Sequence, residues 1–290
     1  MADGRVIGPA KIVDAGPPEK RWNVVIVSEG YRESEMAQFA LDARQLADTL
    51  LATAPFDRLR AAINVFRIDV ASTESGAKDP IKGNCTGTGA KPKTFFGASF
   101  CNNGIRRLLL AKDGRVKDVV EDHVPQWHMI FLMVNSPVYG GSGGAIATFS
   151  KATGALEVAL HEMGHTAFGL ADEYEYYQSC AQDSGHDKHS GSEPSQPNIT
   201  TNKNRNTTKW RNLILPSTLV PTTSNGNCKK CDPQPTPVPA GTVGLFEGAD
   251  YYHCNVYRPE FNCRMRSINF PFCAVCQQAI VKKLTPFLPA

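Results

Sequence analysis

The sequence predicts an α/β fold on a mixed, twisted sheet, and three stretches carry that prediction. VVIVSEGY (24–31) is a short β-rich run closed by turn residues, the pattern of a buried strand. From Ser34 to Ala54, Met36, Phe39, Ala40, Ala43, Leu46, Ala47, Leu50 and Leu51 recur at helical spacing until Pro55 ends the stripe. INVFRIDV (63–70) reads as a second strand, and the order strand, helix, strand implies a parallel crossover pair.

The rest of the chain follows in order. After a polar loop, a helix is expected over 106–120, and WHMIFLMVN (127–135) is the most apolar strand candidate. SPVYGGSGGAIATFS (136–150) leads from four glycines into an alternating stretch. It reads either as an ordinary hairpin or as an open strand edge that holds an extended peptide by main-chain hydrogen bonds. In the second case Gly140, Gly141, Gly143, Gly144 and Ala145 are the substrate contacts, because glycine lets another backbone approach closely. Residues 155–168 lack proline and carry Leu156, Ala159, Leu160 and Met163 at near-helical spacing, so they should be helical. From Cys180 to about Gly241 the composition shifts to Ser, Thr, Asn, Pro and Gly, a long irregular excursion. Apolar sequence then returns and should end in a helix from about Cys273. No repeat and no second periodic core stands out, so a single domain over 1–290 is expected, with a sheet-and-helix part at 1–150 and an irregular, cysteine-rich part at 151–290.

Composition narrows the partners. With 31 basic and 28 acidic residues the formal charge is only +3, and no basic stretch is interleaved with aromatics, so nucleic acid is not expected as a partner. No run approaches the length of a membrane span, and the opening residues lack the apolar segment of a signal peptide. Either the chain is cytosolic or an export signal has been removed. The nine cysteines lie mostly in polar, turn-rich sequence, which favours disulfides and a secreted or periplasmic location, with an odd thiol left over. Cys228-x-x-Cys231 and Cys273-x-x-Cys276 also allow a four-thiolate zinc site, although their separation is long for one. Sequons at Asn198 and Asn206 fit an exposed loop.

HEMGHTAFGLADEYEY (161–176) carries the chemistry. Residues four apart share a helix face, so His161 and His165 can direct two imidazoles at one Zn2+ ion. Glu162 lies beside them as general base for a water whose pKa the metal lowers. Zinc needs a third protein ligand and an open position; Gly169 can turn the chain back and Asp172 follows, with Glu173 as the alternative. His186, His189 and His253 are further ligand candidates, expected to be exposed.

With these residues in view, the chain resembles the M64, or IgA peptidase, family. The likeness lies in the stretch 28–80 beginning SEGYRESEMAQF, in HEMGHTAFGLADEYEY, and in GLFEGADYYHCNVYRPEFNCRM. The family lies among or near the metzincins, whose motif H-E-x-x-H-x-x-G-x-x-H/D precedes a methionine turn. Here Phe168 stands at the motif's glycine, while Gly169 and Asp172 each come one place late, as a single insertion would produce. The resemblance implies a metzincin-like zincin domain, with Met265 in the methionine turn. Tyr257 is a candidate donor to the oxyanion, with Tyr174 as its competitor. Glu157 can orient a ligand imidazole or simply face solvent. The function implied is a zinc-dependent endopeptidase acting as a monomer on a protein or peptide, immunoglobulin among the candidates. Two alternatives stand beside it: a non-catalytic, zinc-stabilised protein-binding module, and a zinc amidase acting on a non-protein amide.

Overall fold

A computed structural model describes residues 3–176, 180, 187–231 and 235–289. His186 lies outside the described residues. The chain divides into two units, Met1–Ala167 with Leu284–Ala290, and Phe168–Lys283.

The first unit is a mixed six-stranded sheet with helices. Its strands begin with β1 (Gly4–Val13), β2 (Trp22–Glu29) and β3 (Ile63–Ser72), with helix α1 (Met36–Ala52) between β2 and β3. β4 (Ile81–Lys82) and β5 (Cys85–Thr86) form a separate small hairpin, and helix α2 (Asp113–His123) precedes β6 (Met129–Val134). β7 (Gly141–Ser142) and β8 (Ala147–Phe149) close the set, giving the order β1-β3-β2-β6-β8-β7. β2 pairs in parallel with both β3 and β6, and β6 in parallel with β8. β1 and β7 cap the two sides in antiparallel pairing.

Every residue of β2 and β6 is buried, as strands covered on both faces must be, which is why VVIV and MIFLMV are continuous rather than alternating runs. Val25 and Val27 share one core cluster with Val116, Val119 and Val120 of α2. The apolar stripe of α1 is buried as its spacing predicts, through Phe39, Ala43, Leu46, Ala47, Leu50 and Leu51. Glu29, at the end of β2, is buried as well. Its carboxylate accepts bonds from the Thr94 hydroxyl (2.6 Å) and from the backbone N–H groups of Phe96 (2.9 Å) and Ala98 (2.8 Å), so a polar strand end organises the following loop.

The helix expected over 106–120 begins only at Asp113. Leu110 exchanges backbone bonds with Ser99, and Leu108 bridges Gly141, so the apolar triplet 108–110 is drawn into strand-like pairing rather than helix. β1 was not evident in the sequence at all, because Gly4, Gly8 and Pro9 punctuate it.

The second unit holds β9 (Phe246–Ala249) paired antiparallel with β10 (Tyr252–Arg258), and helix α4 starts at Ala274 and runs to Leu284. A small cluster of Ala171, Ile199, Ala249 and Val256 packs beside them. The Trp210 indole N–H donates to the Gly244 carbonyl at 2.8 Å. Buried Arg258 pairs with buried Glu175 at 3.4 Å, so neither charge is left alone in the interior.

Disulfides join Cys85 to Cys101 and Cys228 to Cys254. The second bond removes Cys228 from the four-thiolate site that the two C-x-x-C pairs allowed. Cys180 and Cys231 instead approach Glu175, with ligand atoms within 4.8 Å of one another. Asn206 is exposed, as its sequon predicts, but Asn198 is fully buried. His253 is buried too, with Nδ1 3.1 Å from the Cys228 carbonyl, whereas His189 is half-buried against the Tyr252 ring. Among the described residues no helix is long and apolar enough to cross a membrane.

Candidate active site

Helix α3 spans Ala155–Phe168, the residues its spacing predicts. Ala159, Leu160 and Met163 are completely buried and fix its rotation, while Glu162 and His165 stay half-buried and His161 is 8% exposed. The helical repeat then stacks the two histidines. Their Nε2 atoms lie 3.2 Å apart, with ring planes at 85° and centroids at 4.8 Å. Two nitrogens each about 2.0–2.1 Å from a tetrahedral zinc ion are separated by about 3.3 Å, so this pair fits a shared metal without rearrangement.

Glu162 is held from the β7–β8 side by glycines. A methyl group built on Gly143 would stand 2.8 Å from Glu162 Oε2 and 3.2 Å from His165 Cβ. One built on Gly141 would meet Val158 at 2.8 Å and Glu162 Oε1 at 3.7 Å. These residues are glycine because the helix bearing the carboxylate passes directly against their backbone.

The glycine-rich stretch divides into a closed part and an open part. Gly141 N–H donates to the Arg107 carbonyl at 3.1 Å, and its own carbonyl accepts from Leu109 N–H at 3.4 Å. The Gly140 carbonyl accepts from Ser150 N–H at 3.1 Å, and a Cβ there would strike the Arg107 carbonyl at 2.5 Å. The strand edge is thus paired internally at Gly140 and Gly141. Gly143 is half-buried, Gly144 and Ala145 are exposed, and Gly144 N–H reaches the Thr166 hydroxyl at 3.3 Å. Glu157, on the first turn of α3, lines a cavity with Asp42 and Lys151, which pair with each other at 2.6 Å.

In the second unit, Gly169 at φ +61° supplies the left-handed turn that ends the helix. Asp172 is buried, and its Oδ2 accepts a hydrogen bond from the Tyr251 hydroxyl. Asp250 N–H donates to the Asp172 carbonyl and Tyr251 N–H to the Tyr174 carbonyl, both at 3.0 Å. Asp250 and Tyr251 both have positive φ, 50° and 67°, a conformation costing about 1–3 kcal/mol for a residue with a side chain. The β9–β10 turn is therefore bent so that a phenol meets a carboxylate. Nothing in the letters DYY announces it.

Asn198 was likewise not foreseen. Its Oδ1 accepts from Ala171 N–H (2.8 Å), and its Nδ2 donates to the Ala171 carbonyl and to Glu173 Oε1 (both 2.9 Å), so one amide grips the residues on either side of Asp172. Glu173, the alternative ligand, points its carboxylate into a group of cysteines, with Oε1 3.4 Å from Cys276 Sγ, and burial pushes that carboxyl well above its usual range. Met265 is fully buried and its carbonyl accepts from Glu173 N–H at 2.8 Å. The Tyr257 hydroxyl donates to Glu247 at 3.0 Å, inside the β9–β10 pair, while the Tyr174 and Tyr251 hydroxyls lie 3.5 Å apart.

Set against known proteins, the chain is matched by the family described as IgA Peptidase M64 over residues 10–231 and 236–284. No curated protein matches it.

Proposed function

Because the chain belongs to the IgA Peptidase M64 family, a peptidase family, we propose that it is a zinc-dependent endopeptidase whose metal is held by His161, His165 and Asp172. The observation that carries this reading is the convergence of the two Nε2 atoms to 3.2 Å on one face of α3, with Glu162 between them in sequence. Asp172 follows the Gly169 turn closely, and its carboxylate is already oriented by Tyr251, as supporting partners of a metal-binding carboxylate commonly do. When bound, zinc polarises the scissile carbonyl and brings the pKa of water near neutrality.

Glu162 is the general base in this reading. It takes a proton from the attacking water and delivers it to the leaving amine nitrogen. The backbone at Gly143 limits where its Oε2 can sit, which keeps one orientation of the carboxylate ready. The substrate is an extended peptide that docks by main-chain hydrogen bonds beside Gly143, Gly144 and Ala145, the turn between β7 and β8 where Gly144 and Ala145 are exposed. The mechanism needs no donor from Tyr257, whose hydroxyl is occupied by Glu247. The two disulfides favour action outside the reducing cytoplasm.

Glu162→Gln should keep the zinc and the fold but reduce hydrolysis by about 10²–10⁴-fold, the range a general base contributes. Parent-level cleavage by that variant removes Glu162 from the mechanism. Digestion of casein, immunoglobulin A and purified cell wall, each with and without chelator, separates a peptidase from an amidase. Chelator-sensitive release of cell-wall fragments alone overturns the peptidase assignment.

A further inference from the structure

A second group of metal-ligating atoms lies wholly within the 168–283 unit and has no part in the proposed hydrolysis. Cys263, Cys273, Cys276 and Glu173 are all buried, and their ligand atoms lie within 4.8 Å of one another. Cys263 Sγ is 3.7 Å from Cys276 Sγ, and Glu173 Oε1 is 3.4 Å from Cys276 Sγ and 3.9 Å from Cys273 Sγ. Around a tetrahedral zinc ion with ordinary bond lengths, two sulfurs stand about 3.8 Å apart and a sulfur and a carboxylate oxygen about 3.6 Å. The observed separations scatter around those values.

Backbone donors are aimed at two of the three sulfurs. Backbone N–H groups of Met265 (3.5 Å) and Cys273 (3.3 Å) point at Cys263 Sγ, and that of Cys276 (3.4 Å) at Cys273 Sγ. Such donors stabilise the charged form of a buried ligand and fix its direction. Asn198 steadies Glu173 Oε1, and the Arg258 guanidinium offsets part of the negative charge. Glu173 Oε2, by contrast, is buried with no hydrogen-bond partner among the described residues, an arrangement that is destabilising unless something binds the carboxylate. Three thiols cannot all pair with one another, so a disulfide would leave one stranded beside that carboxylate.

We propose that Cys263, Cys273, Cys276 and Glu173 form a closed structural site for one zinc ion, separate from the hydrolytic centre. Binding forms three Zn–S bonds and one Zn–O bond; the thiol protons leave to solvent, and no electrons are transferred. With all four positions taken by protein there is no place for water, so the ion fixes structure and performs no chemistry. It ties the 263–276 segment to the residue directly after Asp172, so folding of that segment is coupled to metal.

The test uses the full chain carrying His161→Ala and His165→Ala, which leaves every cysteine in place. Elemental analysis after dialysis should find about one zinc per chain in this variant. Zero zinc overturns the proposal, whereas one zinc in both parent and variant overturns the helix site and leaves this one standing. Cobalt exchanged into the histidine variant should give a thiolate-to-cobalt charge-transfer band, and Cys263→Ser with Cys276→Ser should abolish it. Should that cysteine variant fail to fold, alkylation of the histidine variant, denatured in chelator without reductant, decides the matter. Recovery of Cys263, Cys273 and Cys276 all as alkylated thiols supports the site, and a disulfide among them refutes it.

Discussion

Gly143→Ala separates catalysis from folding with a single methyl group. The new carbon would lie 2.8 Å from Glu162 Oε2, whereas comfortable contact needs about 3.4 Å, a little inside the best separation of two carbons, so a displacement of about 0.6 Å must be absorbed. The nearest atom is the tip of a flexible side chain, so the carboxylate gives way and the backbone does not. The next contact, His165 Cβ at 3.2 Å, needs a smaller adjustment. Stability should therefore change by less than about 1 kcal/mol, the ordinary scale of a mild overpacking. Catalysis is less forgiving. A misplacement of about 1 Å costs a catalytic group about 100-fold, so kcat/KM should fall by roughly 10- to 100-fold, or about 1.4–2.7 kcal/mol of transition-state stabilisation. The assay pairs initial rates on a fluorogenic peptide with a urea titration and zinc content. Gly114→Ala, where an added methyl meets nothing within 4 Å, serves as control. A Gly143→Ala enzyme with unchanged stability, unchanged zinc and parental kcat/KM would show that the position of this carboxylate does not limit the reaction, and the role of Glu162 would fall with it.

Further outcomes test the supporting residues. Tyr251→Phe removes the hydroxyl that orients Asp172 and should weaken zinc retention against a competing chelator about 10-fold, with little change in the urea midpoint; equal retention would leave the β9–β10 turn without a role at the metal. For Glu193, burial pushes the carboxyl up, but bonds from Thr200, Thr201 and Lys209 outweigh it and bring the pKa down to about 2. A depressed carboxyl stabilises the fold above its ordinary pKa and loses that contribution as pH falls toward the folded value. Glu193→Gln should thus be less stable than the parent at pH 6, and the gap should close as pH drops from about 4.5 toward 2; a gap independent of pH in chemical denaturation would show that those bonds do not depend on the charge.

What could be read from the letters was whatever depends on local pattern. α1, α3 and the buried runs of β2, β3 and β6 announce themselves because burial on one stripe or on both faces leaves a periodic or continuous apolar record. HEMGH needs only helical spacing to bring two imidazoles together. Features set by tertiary pairing were hidden. Leu108–Leu110 resembles the start of a helix until Ser99 and Gly141 are known to compete for its backbone. Cys273 and Cys276 are visible as a pair, but Cys263 and Glu173 join them only through folding. Tyr251 reaches Asp172 through two left-handed residues that carry no glycine to mark them.

The burial of Asn198 bears on how the protein can be made. A eukaryotic secretory pathway attaches oligosaccharide to Asn-x-Thr sequences as the nascent chain emerges, before any tertiary contact protects them. Asn198 begins such a sequence, yet in the folded protein its amide grips Ala171 and Glu173 in a space with no room for a sugar. A glycan added there would hold open the loop bearing Asp172, so recombinant material is best produced in a host that does not glycosylate asparagine.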